Sequence, residues 1–191
     1  WLIDHHPESA LHGYLTASIF PRGRQGDPLA FQDARNRWLT QVNLHPNDSQ
    51  VLANAARTLI GANLQEGLDL EKRAQIADPA DMTAPLAFEY AVVLMLNANL
   101  EARDLNPFRN PPLAAHIREE LLNSRDTALV GAVARNLVER STEKMIEGGR
   151  GFDFDRLRPV AMELAAHAHT LEPENRAWAD LMEGARRIAH P

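Results

Sequence analysis

From one end of the chain to the other the apolar residues recur on a helical period. No stretch shows the two-residue alternation between hairpin turns that a strand needs. After Asp27-Pro28, an N-cap followed by proline at the first helical position, Ala30, Ala34, Trp38 and Val42 recur every four residues, with Phe31 and Leu39 beside them. His45-Pro46 closes that stripe, and Ser49 or a neighbour opens the next, carried by Val51, Leu52, Ala55, Ala56 and Leu59 up to a stop at Gly61. Asn63 starts a third stripe, with Leu64, Gly67, Leu68, Glu71 and Ala74 on one side, stopped by Asp78-Pro79. Further helices are expected over about 81–100, 112–123, 126–147, 155–171 and 175–190, with a first helix over 9–20. Of these, 81–100 is apolar nearly all round and is expected to be the most buried. The stretch 103–112, with three prolines, reads as a loop, and Gly148-Gly149-Arg150-Gly151 as a break. The fold class is therefore all-α, with about nine helices.

Composition narrows what such a chain does. It has 191 residues, 45% of them hydrophobic, and a net charge of −6 spread along its length. A nucleic-acid partner would need a concentrated basic face, and none is visible. The longest apolar run, Tyr90 to Leu96, is far short of the roughly 20 residues that span a bilayer, so a soluble protein without a membrane span is expected. There is no cysteine, which removes disulfides, thiolate metal sites and cysteine nucleophiles. The chain begins at Trp1, as a trimmed or mature form would, so both a cytoplasmic and an exported protein remain open, as does a segment of a longer protein.

Three helices close on similar phrases: Asn43-Leu44-His45-Pro46, Ile76-Ala77-Asp78-Pro79 and Leu171-Glu172-Pro173. Pro46 and Pro79 are 33 residues apart, against a tetratricopeptide period of about 34. Counted back from Pro79, Ala74, Gly67 and Ala55 fall on the three small positions of that repeat; counted back from Pro173, Ala168 and Ala161 fall on two of them. In these residues the chain resembles the tetratricopeptide (TPR) family. Asn54 stands where that repeat usually has leucine, and Gln41 where it has a small residue. The resemblance implies antiparallel helical hairpins stacked as a short right-handed TPR-like solenoid. One domain would span 1–191, with hairpins at about 7–44, 48–77, 81–123 and 126–171 and a capping helix over 175–190. A compact helical bundle is the alternative architecture.

No chemical motif stands out. His5, His6, Glu8 and His12 cluster near the start, but a metal site needs three or four converging ligands. His167 with Glu163 one turn away is the other pair of that kind. Asp153 and Asp155 flank Phe154, and Glu119-Glu120 sit on a helix, yet no pocket that would separate their pKa values is indicated. The 148–151 turn follows a helix and lacks the phosphate-loop pattern, and Arg22 and Arg24 make only a small basic loop. Two polar groups carry more weight: Gln50, Asn54 and Arg57, spaced by four and three, and Asn136, Glu139 and Arg140. Such residues in the first helix of a TPR-type hairpin line a groove, so the resemblance implies that these six hold a peptide or protein partner. The expected function is a non-catalytic interaction scaffold, with no cofactor, no metal and possible self-association. An all-helical enzyme or metal protein with a His/Glu site dispersed over several helices is the alternative.

Overall fold

The computed structural model describes residues 1–12, 28–98, 108–146 and 154–187. Among these the chain is all-helical, with nine helices: α1 (Leu2–His5), α2 (Pro28–Leu44), α3 (Ser49–Leu59), α4 (Leu64–Ala77), α5 (Pro79–Ala98), α6 (Pro111–Asn123), α7 (Thr127–Ile146), α8 (Phe154–Leu171) and α9 (Arg176–Arg186). From 49 onward the expected boundaries that fall on described residues hold to within a few residues, while the expected ends at 100, 147 and 190 lie outside the described residues. Most of the helix expected over 9–20 lies outside the described residues, as do Arg22, Arg24, Asp27, the 148–151 break and Asp153. The one-turn α1, which includes His5, was not expected.

Short Asx side chains start one helix after another. Asp48 Oδ1 accepts from the Gln50 and Val51 amides at 3.0 and 3.1 Å. Asn63 Oδ1 accepts from Glu66 N at 3.3 Å, Asp78 Oδ1 from Asp81 N at 3.3 Å and Asn110 Oδ1 from Leu113 N at 3.2 Å. Asp126 caps α7 through Leu129 N at 3.0 Å, and Asn175 caps α9 through Ala177 N at 3.2 Å. Each satisfies an amide that the first turn leaves without an intrahelical partner. The helix stops just before Gly61, as expected, but Gly61 has φ outside the left-handed region and is no left-handed cap. Instead α3 tightens into the turn by Ala62 N and Asn63 N both donating to Leu59 O, at 3.0 and 2.7 Å.

The residues fall into two compact units, Trp1–Met82 and Thr83–Pro191. In the first, Trp38 and Val42 from α2, Val51, Leu52, Ala55, Ala56 and Leu59 from α3, and Leu70 and Ala74 from α4 form the core, with Ile3, Phe31 and Leu39 packed against it. Helices α3 and α4 form a hairpin with a close approach at Gly67, where a Cβ would stand 2.6 Å from Cα of Ile60, the residue that caps α3. The absence of a side chain there is what lets the two backbones meet. Ion pairs fasten the periphery. Arg35 donates from Nε and Nη2 to the two oxygens of Glu66 at 3.0 and 2.7 Å, which raises its pKa above the usual arginine value. Arg37 is held by Asp33 and Asp4, which raise its pKa in the same way.

In the second unit α7 packs along α8, and α9 packs on both. Val130, Val133, Ala134 and Leu137 from α7 meet a core that includes Leu157, Ala161, Leu164, Ala165 and Ala168 from α8, all fully buried. From α9, Trp178 lies against Gly131, where a Cβ would be 2.1 Å from the indole. The indole Nε1 donates to Glu172 Oε2 at 3.2 Å, and Asn175 Nδ2 donates to the same oxygen at 3.2 Å. The Asn175 bond first, then the Trp178 bond, hold the Glu172 pKa below the usual carboxylate value. Leu86, Ala87, Tyr90, Ala91, Val93, Leu94 and Met95 of α5 are buried, as its nearly all-round apolar surface requires.

Candidate functional site

The two groups of polar residues lie on α3 in the first unit and on α7 in the second, and their surroundings differ from a simple solvated stripe. On α3, Gln50 and Arg57 are exposed, but Asn54 between them is completely buried. Its Nδ2 donates to Pro7 O at 2.9 Å and to Ser9 O at 3.1 Å. Its Oδ1 accepts from Arg57 Nη1 at 3.1 Å. The amide is thus saturated by its own chain: two donor hydrogens on two carbonyls, and an acceptor filled by a guanidinium. The expected exposed position is corrected here. Helical spacing puts Asn54 opposite the apolar stripe, but the segment 7–9 folds over that side of the helix and covers it.

His12 lies three residues beyond this covering segment. It is buried, edge-on to Trp38 with ring centroids 4.6 Å apart, and its Nε2 stands 3.0 Å from His6 O. A carbonyl oxygen only accepts, so this nitrogen carries the proton. His5 stacks on Trp1 at 4.8 Å, and His6 faces Glu8 at 3.7 Å. These histidines turn to separate partners, and among the described residues no three His, Cys, Asp or Glu side chains are grouped to hold a metal ion. The second candidate pair is likewise divided. His167 Nε2 donates to Ser124 O at 2.8 Å, whereas Glu163 accepts from Arg118 Nε at 2.9 Å. Glu120 accepts from the Tyr90 hydroxyl at 3.3 Å, while Glu119 is exposed.

On α7, Asn136 is half-buried and its Nδ2 donates back to Ala132 O at 2.9 Å. Glu139 is exposed. Arg140 is half-buried, its guanidinium 4.2 Å from the centroid of the Phe88 ring on α5. Its Nε is enclosed and has no hydrogen-bond partner. Stacking on an aromatic face is favourable for a planar, weakly hydrated cation, but it satisfies none of the N–H donors. Phe88 is the member of this group that spacing along α7 could not find, since it lies on another helix. The only sequence signal for it is its place in the apolar α5.

No protein-family model, curated protein or solved structure matches the chain.

Proposed function

We propose that this protein is a non-catalytic interaction module of the tetratricopeptide type, which holds a peptide or protein partner on the polar sides of its helical hairpins. The observation that carries the reading is the α3–α4 hairpin. Its backbones meet at Gly67 against Ile60, with Ala55 and Ala74 buried alongside, and these are the positions where that repeat places small residues. The buried Ala161 and Ala168 of α8 support it from the second unit. Gln50 and Arg57 on α3, and Asn136, Glu139 and Arg140 on α7, supply the polar contacts. Asn54 contributes through Arg57, whose guanidinium it anchors. Partner affinity in such a module comes from groove contacts with no bond made or broken. The finer architecture belongs to the same proposal: hairpins continuing as a short right-handed solenoid, capped by α9.

Peptide-display selection against the immobilised full chain tests the function. Recovered peptides should bind in solution and lose affinity in Arg57→Ala or Arg140→Ala. Selection that yields no binder, or only binders indifferent to both substitutions, refutes it. Solution scattering tests the architecture: a monomer with a radius of gyration clearly above the roughly 16 Å of a compact domain this long supports the solenoid, and a value at that figure refutes it.

A further inference from the structure

Arginines elsewhere in this chain show what an arginine does here when a carboxylate is within reach. Arg35 meets Glu66 side-on, Nε on one oxygen at 3.0 Å and Nη2 on the other at 2.7 Å. Arg118 meets Glu163 through Nε and Nη2 as well. Arg140 has the same fork and, among the described residues, no such partner: its described contact is the face of Phe88, and its Nε is enclosed with nothing there to donate to. A buried N–H without an acceptor is a standing cost, and a charged one more so. The Phe88 ring also limits the rotamers of the guanidinium, so part of the ordering that ligand binding requires is already present.

The geometry points to Arg140 as a carboxylate-binding site, in which Phe88 presents the guanidinium and a carboxylate of a bound peptide takes its N–H donors, the unpartnered Nε among them. This rests on the interaction-module reading and names the chemistry of one contact within it. Arg140 as a whole is half-buried, and in the proposed contact Nη1 and Nη2 meet the carboxylate first. The side-on pairing seen at Arg35 then requires a small movement that opens Nε. A carboxylate fits better than a phosphate dianion. The site has a single guanidinium, Glu139 stands exposed next to it on α7, and the chain as a whole carries −6. Each extra negative charge on the ligand adds repulsion without adding a donor.

The test uses the full chain with 15N-labelled arginine, reading the Nε–H signal of Arg140 by NMR and assigning it by its loss in Arg140→Gln. The probes are acetyl-Ala-Ala-Ala with a free C-terminus, acetyl-Ala-Glu-Ala-amide, the neutral acetyl-Ala-Gln-Ala-amide, and inorganic phosphate. The expected result is a saturable shift with one or both carboxylate peptides, with half-saturation at roughly millimolar concentration for a single bidentate contact. Which of the two carries it separates a C-terminal from a side-chain carboxylate. Arg140→Lys, which keeps the charge but loses the fork, should weaken binding by about tenfold. Phe88→Leu should weaken it by about threefold while the helical circular dichroism is unchanged. The signal staying still with both carboxylates overturns the inference, as does an equal response to the neutral peptide or a stronger one to phosphate. If display selection still recovers peptides that depend on Arg57, only the Arg140 site falls. If selection fails too, the interaction reading falls with it.

Discussion

Gly67→Ala tests the packing on which the α3–α4 hairpin depends, because two effects of opposite sign meet at one atom. In an isolated helix the change is favourable, by about 0.8–1 kcal/mol of helix propensity. In this protein the new Cβ would lie 2.6 Å from Ile60 Cα and 2.8 Å from both Ile60 N and Ile60 Cβ. Carbon atoms pack best at about 3.5–4.0 Å, so the two segments must separate by roughly 1 Å at this contact. Two of those three atoms are backbone, so no rotamer change relieves the contact. Overpacking of this kind costs about 1–3 kcal/mol, and the upper part of that range applies when main chain has to move. The clash wins, and a net loss of about 1–2 kcal/mol is expected, which for a chain of this length is a fall in Tm of about 2–8 °C. Gly61→Ala is the control. It lies in the turn of the same hairpin, with nothing within 4 Å of its added Cβ and φ outside the left-handed region. It should be neutral, or stabilising by up to about 1 kcal/mol through the unfolded chain. Urea and thermal unfolding of the two variants beside the parent decide the matter. If Gly67→Ala is as stable as the parent, the close approach of α3 and α4 is wrong.

Three further outcomes follow from particular contacts. Gly131→Ala places a Cβ 2.1 Å from the Trp178 ring. It should displace the indole, change its fluorescence and cost about 1–3 kcal/mol; unchanged emission would contradict the placement of α9 on α7. Asn54→Leu installs the residue that the repeat resemblance expects, yet leaves Pro7 O and Ser9 O without their donor. A loss of about 1–3 kcal/mol is expected in urea unfolding, and a stabilised variant would show that the segment 7–9 is not held there. Glu172 has a lowered folded-state pKa, through Asn175 first and Trp178 second. Its contribution to stability is therefore full above the unfolded carboxylate value of 4.5 and is lost as the pH falls through the lower folded value. The Trp178 indole N–H signal should titrate below the ordinary value of 4.5, and a midpoint at or above it would refute the assignment.

The helices themselves are local events, and the sequence determined them. A 3.6-residue apolar period, an aspartate or asparagine at most of the described starts and a proline near several ends act within a few residues of chain. Positions such as Asp48, Asn63, Asn110 and Asn175 can therefore be read without knowing what lies across the core. The close approach at Gly67 and the burial of Ala55, Ala74, Ala161 and Ala168 were legible as well, because small residues recurring on the apolar side of a helix mark where a neighbour comes near. The surroundings of the polar side chains were decided only by the tertiary structure. Asn54 is spaced as a surface residue, but its partner Pro7 is 47 residues away in the chain, and helical periodicity along α3 carries no information about a segment that folds over it. Likewise Arg140 finds Phe88, His12 finds Trp38 and Trp178 finds Gly131 across long sequence separations. A repeating pattern encodes which side of a helix is apolar; which neighbour covers a polar side chain is settled only when the whole chain packs.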